Sequence, residues 1–189
     1  MDKIFGTYCA SLTPVNKNYS INKELFLEHC KNILMQGLDG LGIFGTTGEA
    51  NSFSIDEKIE AINFLTENGI SSNNLIIGTG LCSIQDTVKL TSSSSKLKVK
   101  AVLVLPAFYY KNISNEGVIN FYREIIEKVA DSELKYILYH FPNLTGIPIN
   151  FNILEELLKF YPNNIVGIKD SGGDINNMLK VIKYFNELS

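Results

Sequence analysis

A single lysine, Lys169, stands at the end of a short apolar run in this chain. The run Ile165–Ile168 leads into it, and the small-residue turn Ser171–Gly173 follows. β-Branched residues bounded by Asn and Gly are typical of a buried parallel strand. An ammonium is costly to bury there, and burial favours the neutral amine, which can condense with a ketone to form a Schiff base. Taken alone, this stretch favours the commoner alternative, a lysine whose head extends into water.

A loop of small residues follows an earlier apolar run and carries the sequence Gly45-Thr46-Thr47-Gly48-Glu49. Two glycines around two hydroxyl residues allow a tight turn whose backbone N–H groups converge on an anion. A carboxylate fits such a small site. A phosphate is the alternative guest, although the loop lacks the Lys-Ser/Thr ending of a P-loop.

Tyrosines follow two further apolar runs, at Tyr109–Tyr110 and at Tyr139. A tyrosine at a strand end is often only an amphipathic plug, with its ring inward and its hydroxyl wet. However, carbinolamine formation and C–C cleavage both need a proton carrier beside the substrate, and a phenol can serve. His140 alternates to the other side of the same strand, so we predict that it packs against the outer helices.

Strand-like and helix-like runs alternate six times, which predicts parallel strands covered by helices in one α/β domain, residues 1–189. Both an open doubly wound sheet and a (β/α)₈ barrel fit this order, and both place ligands after the strands. We interpret the serines of 92–95 as a solvated helix face. The predicted strands are 6–12, 40–44, 75–79, 101–106, 136–141 and 165–169, and the predicted helices begin near Lys23, Ser54, Ser83, Ser114, Phe151 and Ile175, with the last continuing to the chain end.

Composition excludes several classes of protein. The net charge of −3 and the pI near 5.4 do not suggest a nucleic-acid partner. Cys9, Cys30 and Cys82 are widely spaced and odd in number, and only two histidines are present, so neither a disulfide framework nor a metal centre is expected. The polar N-terminus does not fit a signal peptide, and no apolar run approaches the roughly 20 residues of a membrane helix. We therefore expect a soluble, cytoplasmic protein without a membrane partner.

Four ordered motifs together resemble one known family. They are GTTGE at Gly45–Glu49, YYK at Tyr109–Lys111, Tyr-x-x-Pro-x-x-Thr-Gly at Tyr139–Gly146 and GIKD at Gly167–Asp170. In this order and spacing they resemble the dihydrodipicolinate synthase/N-acetylneuraminate lyase family along essentially the whole chain. The resemblance implies a TIM barrel, here incomplete, and a pyruvate-handling class I aldolase.

The resemblance also implies roles for individual residues. Lys169 would form the Schiff base with pyruvate or another 2-oxo acid, so that no other cofactor and no metal is needed. Tyr139 would carry the proton and Thr46 would relay it. Thr46, Thr47 and Gly48 would bind the substrate carboxylate. Tyr110 would reach into the site of a neighbouring subunit in a homo-oligomer, a dimer of dimers in the full-length family members.

The chain departs from the family pattern at Leu144, where the dihydrodipicolinate synthases carry an arginine that binds the carboxylate of the aldehyde substrate. Leucine removes that bidentate partner. We therefore expect an aldolase or lyase of the sialic-acid or 2-keto-3-deoxy-sugar-acid type, which joins or cleaves a 2-oxo acid and an aldehyde. Condensation of pyruvate with aspartate semialdehyde, the dihydrodipicolinate synthase reaction, is the alternative.

The length is a second departure from the family. The chain holds about six βα units, whereas a closed barrel has eight and about 250 residues. We expect a fragment or truncated product that keeps Lys169 and lacks the part of the pocket on strand 7. Two alternatives of other classes therefore stay open, a catalytically inactive barrel fragment and, less favoured, a phosphate or nucleotide binder built on Gly45–Gly48.

Overall fold

The computed structural model describes residues 4–187 as one six-stranded parallel sheet with helices between the strands. Each strand pairs with the next along the chain, in the order β1-β2-β3-β4-β5-β6. An open doubly wound sheet reverses its strand order at a switch point, and this sheet does not. The strands are β1 (Tyr8–Ala10), β2 (Gly40–Ile43), β3 (Leu75–Gly78), β4 (Ala101–Val104), β5 (Tyr136–His140) and β6 (Ile165–Asp170). The sheet is an incomplete (β/α)₈ barrel, as the sequence predicted.

Seven α-helices lie within residues 4–187, and one of them, α5, is a single short turn. None of the helices in this range is long and apolar enough to cross a membrane. The predicted extents 1–189 for the domain and up to the chain end for the last helix include residues 1–3 and 188–189, which lie outside the described residues. The helices are α1 (Lys23–Met35), α2 (Ile55–Glu67), α3 (Ile84–Lys96), α4 (Asn115–Val129), α5 (Pro142–Thr145), α6 (Phe151–Phe160) and α7 (Ile175–Glu187).

Serine caps start three of the helices at the predicted positions. Ser54 and Glu57 form a complete capping box at the start of α2. Ser83 accepts a hydrogen bond from the backbone N–H of Asp86 at the start of α3. Ser114 accepts a hydrogen bond from the backbone N–H of Gly117 at the start of α4. These caps satisfy N–H groups that would otherwise have no partner, and so fix where each strand-to-helix loop ends.

The two faces of the sheet form separate apolar clusters because side chains alternate along each strand. The outer face packs against the helices and contains most of the buried core, for example Leu41, Ile77 and Val102. The inner face forms a smaller cluster of Ile76, Ala101, Leu103 and Tyr139. A side chain therefore reaches the concave inner side only if its position in the alternation is correct.

The interpretation of residues 92–95 as a solvated face is wrong. Ser94 is fully buried, and its hydroxyl donates to the carbonyl of Leu90. Ser95 donates to a carboxylate oxygen of Asp131. Helix α3 packs against α4, and small hydroxyl side chains let the two helices approach while their polar groups stay satisfied.

The C-terminal edge of the sheet is only half-buried. In β6 Ile165 alone is buried, although the sequence predicted a buried strand throughout. The reason is that β6 pairs with β5 on one side and lies at the edge of the sheet on the other. On α7 four apolar side chains are exposed and Val181 is buried. The exposed residues are Ile175, Met178, Leu179 and Ile182.

Candidate active site

Lys169 and Tyr139 lie side by side on the inner face of the sheet. They are direct partners in the register of β5 and β6. The Nζ atom of Lys169 lies 4.3 Å from the centroid of the Tyr139 ring, within the range of a cation–π contact. Tyr139 is 3% exposed, and Lys169 is half-buried at the sheet edge. The amine therefore faces the concave side, as predicted, but it is less screened from solvent than a buried strand would make it.

An irregularity in the strand pairing determines which way Lys169 points. Ile165 pairs with Tyr136, but Gly167 pairs with Ile137, so Val166 is an extra residue in β6. Ile165 belongs to the outer cluster. In strict alternation Lys169, four residues later, would also point outward. The bulge shifts the phase by one residue and turns the lysine to the inner face.

The loop Gly45–Gly48 is held in a strained and closely packed form. Phe44 and Glu49, which flank it, both have left-handed backbone angles (φ 56° and 50°), a conformation that non-glycine residues rarely adopt. A Cβ at Gly48 would lie 2.9 Å from the carbonyl oxygen of Ser11, so only glycine fits there. The Thr13 hydroxyl donates to the Gly48 carbonyl at 2.8 Å and ties the loop to the segment after β1.

The two threonines of this loop stand on the same side of the sheet as Lys169. The Thr46 hydroxyl lies 3.4 Å from the Tyr139 hydroxyl, at the outer limit of a hydrogen bond. Thr46, Thr47 and Lys169 together line a cavity of about 180 Å³ on the inner face, with Tyr8 and Ile137 among the other lining residues. The predicted lysine, phenol and anion loop therefore come together in space.

Several neighbours act on the ionisation of the Tyr139 hydroxyl. Burial raises the pKa of this phenol, but hydrogen bonds with Thr46 and Ser171 and the nearby Lys169 lower it, and together they keep the pKa below its ordinary value. A phenol with a lowered pKa gives up its proton more readily near neutral pH.

Leu144 and Tyr110 occupy different surroundings. Leu144 is 52% exposed and lines a second cavity of about 220 Å³, together with Thr46, Glu49 and Tyr139. Tyr110 is 73% exposed and lines neither of these cavities. The structure thus brings Leu144 to the site and leaves Tyr110 on the surface of this chain, stacked edge-on against Tyr109.

Sequence reasoning missed two residues at the site and interpreted a third correctly. Ser171, whose side chain helps to lower the pKa of Tyr139, was interpreted only as a turn residue, and Asp170, whose side chain is buried behind Lys169, only as part of the GIKD motif. Their position directly after a strand-end lysine was the available signal. His140 is buried on the outer side, as predicted, and burial lowers its pKa more than the nearby Asp170 raises it. No cluster of three or more potential metal-ligating side chains occurs in the described part of the chain.

A parallel sheet with helices between its strands, a lysine and a phenol on its inner face and a glycine–threonine loop at the strand ends defines a protein of the (β/α)₈-barrel class. Comparison with known proteins agrees with this class. The model of the dihydrodipicolinate synthetase family matches residues 3–188. The chain belongs to that family.

Two curated relatives match nearly the whole of this chain. The chain is 30% identical over 97% of its length to an uncharacterized DapA-like lyase of Chloroflexus aurantiacus, and 32% identical over 94% to a 4-hydroxy-tetrahydrodipicolinate synthase of Desulforamulus reducens. It covers 61% and 58% of those two proteins, so it spans about 60% of the length of these curated relatives.

Solved structures give the same fold. CdNal from Clostridium difficile, crystallised in complex with mannosamine, matches 98% of this chain with a TM-score of 0.87 and 27% identity, and the match covers 62% of CdNal. Dihydrodipicolinate synthase from Agrobacterium tumefaciens matches 96% of the chain with a TM-score of 0.92 and covers 63% of that protein. At 23% identity this second match supports the fold alone.

Proposed function

We propose that this chain carries the Schiff-base site of a class I aldolase that acts on pyruvate or a related 2-oxo acid. One observation carries the proposal. In-register pairing places the Lys169 amine 4.3 Å from the Tyr139 ring on the inner face, and the Tyr139 hydroxyl lies 3.4 Å from that of Thr46. Membership of the dihydrodipicolinate synthetase family supports the same reaction class.

The proposed chemistry assigns each group one step. The neutral amine of Lys169 adds to the keto carbon to give a carbinolamine, and Tyr139 returns a proton to the hydroxyl that leaves as water. Tyr139 takes up the C3 proton as the iminium accepts the electrons of that bond, which gives an enamine. The enamine attacks the aldehyde carbon, the proton passes to the aldehyde oxygen, and water then hydrolyses the product iminium and frees Lys169; cleavage is the reverse. Thr46 relays protons to Tyr139. Thr46, Thr47 and Gly48 hold the substrate carboxylate through hydroxyl and N–H donors.

For the aldehyde partner we propose a sugar aldehyde, so that the product is of the sialic-acid or 2-keto-3-deoxy-sugar-acid type. Leu144 supports this because it brings an apolar side chain, without a positive charge, to the cavity beside Tyr139. The alternative is condensation with aspartate semialdehyde. It is favoured by relatives named 4-hydroxy-tetrahydrodipicolinate synthase, such as the one from Desulforamulus reducens.

We also propose the partners and location of the protein. The substrates are small molecules, and no cofactor beyond the lysine itself is used. A homo-oligomer built from dimers, in which the exposed Tyr110 reaches a neighbouring subunit, and a cytoplasmic location complete the proposal. A catalytically inactive barrel fragment is the competing class, and the half-exposed edge at β6 is the observation that favours it.

Borohydride reduction in the presence of pyruvate tests the proposal. We expect the protein to gain the mass of one reduced pyruvyl group, and Lys169→Ala to gain none. Lys180→Ala, at an exposed position of α7, is the matched control and should label like the unmodified chain. A folded sample that gains no adduct would favour the inactive fragment. Turnover with aspartate semialdehyde far above that with glyceraldehyde or N-acetylmannosamine would contradict the role given to Leu144.

A further inference from the structure

A buried polar pair lies directly behind the Lys169–Tyr139 pair, on the outer side of the same two strands. His140 and Asp170 are the next partners in the register of β5 and β6. Their side chains are 8% and 9% exposed, and Nε2 of His140 lies 4.0 Å from Oδ1 of Asp170. This distance is too long for a direct hydrogen bond but short for two buried polar groups.

Both members of the pair are fixed by other contacts. The backbone N–H of Ile149 donates to Nδ1 of His140 at 3.0 Å, so the neutral ring carries its proton on Nε2, facing Asp170. Oδ1 of Asp170 accepts from the backbone N–H of Gly172 at 2.7 Å, and Oδ2 accepts from Nδ2 of Asn177 at 3.0 Å. A buried carboxylate is costly unless it is satisfied in this way.

These contacts hold the turn that follows Lys169. The backbone N–H of Ser171 donates to the carbonyl of His140 at 2.8 Å, and Nδ2 of Asn143 donates to the carbonyl of Gly172 at 3.1 Å. A Cβ at Gly172 would lie 3.0 Å from Nε2 of His140 and 3.1 Å from Oδ1 of Asp170, so the turn packs tightly on the pair. Movement of the carboxylate would therefore move the turn.

We propose that His140 and Asp170 are positioning residues that hold Lys169 and Ser171 against Tyr139. This inference rests on the proposed aldolase function. Within residues 4–187, β6 is held by its backbone pairing with β5, and the hydrogen bonds of Asp170 with Gly172 and Asn177 add side-chain anchors at the end of the strand. These contacts thereby set the place of the turn that begins at Ser171, whose side chain helps to lower the pKa of Tyr139.

The substitution Asp170→Asn tests the proposal because it keeps the shape and removes the negative charge. The contacts of position 170 with Gly172 and Asn177 then lose their charge-assisted strength. We expect the rate of borohydride trapping with pyruvate to fall about tenfold, the size of one lost charge-assisted hydrogen bond. The pyruvate concentration for half-maximal trapping should change little, because the Gly45–Gly48 loop is untouched.

A pH profile separates positioning from mere loss of stability. Since Ser171 helps to lower the pKa of Tyr139, displacing it should move the midpoint of the trapping rate to higher pH. Ser171→Ala should shift the midpoint in the same direction as Asp170→Asn. His140→Asn keeps an oxygen near the position of Nδ1 but loses Nε2, and should give a smaller shift of the same sign.

A second-site change and a matched control complete the experiment. Adding Asn177→Asp to Asp170→Asn restores a charged hydrogen bond between the two positions and should recover most of the lost rate. Asp174→Asn removes the same charge at an exposed position that caps α7, where asparagine serves equally well, and should leave rate and midpoint unchanged.

The outcomes separate the inference from the proposed function. An unmodified chain that traps pyruvate and an Asp170→Asn variant with the same rate and midpoint would overturn the positioning role and leave the aldolase proposal intact. A slower Asp170→Asn variant that Asn177→Asp does not rescue would also overturn it. No trapping by the unmodified chain would overturn both.

Discussion

The centre of the sheet and its C-terminal edge differ in how completely their side chains are buried. Every residue of β4 is buried, whereas only Ile165 is buried in β6. Helix α4 buries five side chains and is covered by its neighbours, whereas α7 leaves an apolar stripe in solvent. The difference follows from the pairing within residues 4–187, where central strands have a partner on each side and β6 has one.

The candidate site spans both regions. The loop Gly45–Gly48, which we propose holds the substrate carboxylate, follows strand β2 and is fixed by a tight glycine and by Thr13. Lys169 lies on β6, where the bulge at Val166 and the hydrogen bond between Asp170 and Gly172 set the direction of its side chain. A closed barrel would cover that edge with a further strand. We infer that the acid-binding half of the site is preformed, and that placement of the amine is the more easily disturbed half.

The largest expected effect is a difference in the unfolding free energy lost when a side chain is truncated in each of the two regions. Ile77→Ala on β3 should lower the free energy of unfolding by about 2–5 kcal/mol, because Ile77 is fully buried in the outer cluster. Ile182→Ala on α7 should cost less than about 1 kcal/mol, because that side chain is 49% exposed. Urea unfolding measures both, and similar losses at the two sites would contradict the contrast.

Next in size is the loss of the phenol at the border of the two regions. Tyr139→Phe keeps the ring beneath Lys169 and removes the hydroxyl that we propose as proton carrier. The rate of pyruvate trapping should fall by about 100-fold or more, the usual contribution of a general acid–base group. Tyr19→Phe, at an 83% exposed position, is the control and should behave as the unmodified chain. A rate within a few-fold of normal in Tyr139→Phe would exclude the proposed role.

A smaller effect probes the preformed half of the site. Thr46→Val replaces the hydroxyl near Tyr139 by a methyl group of similar size and leaves the loop backbone in place. We expect turnover to fall about tenfold or somewhat more, since the hydrogen bond that we propose between Thr46 and the substrate carboxylate is lost. The free energy of unfolding should stay nearly constant because Thr46 is exposed. Steady-state kinetics and urea unfolding check the two halves of this prediction.

The smallest effect is the pH dependence of the unfolding free energy that His140, beside the edge strand β6, contributes. The pKa of His140 is lowered chiefly by burial, so the unfolded chain takes up a proton before the folded chain does. The contribution of neutral His140 to stability is complete above about pH 6.5 and is lost as the pH falls through its folded pKa. Between pH 7 and 5 the unfolding free energy should fall more for the unmodified chain than for His140→Asn. Parallel curves would contradict this assignment.

Much of the fold could be predicted from the sequence because the spacing of apolar residues and the positions of turn and cap residues indicate the same elements. The six strands lie where apolar runs end in Gly, Pro or polar residues, and the caps at Ser54, Ser83 and Ser114 start the expected helices. The resemblance of the four motifs decided between barrel and open sheet, which alternation alone left undecided.

The remaining features depend on contacts distant in sequence. Nothing in the run Ile165–Lys169 marks Val166 as an extra residue, because a bulge arises only from pairing with β5. The burial of Ser94 likewise depends on the neighbouring helix α4. The network at Asp170 was missed for the same reason, since its neighbour His140 stands on the other strand, β5.

A crystal structure of the protein after borohydride trapping with pyruvate tests the central claim most directly. We expect a single reduced pyruvyl group on Nζ of Lys169, on the inner face, with its carboxylate against Thr46 and Thr47 and its C2 substituents towards Tyr139. An adduct on another lysine, or a carboxylate that points away from the two threonines, would contradict the account.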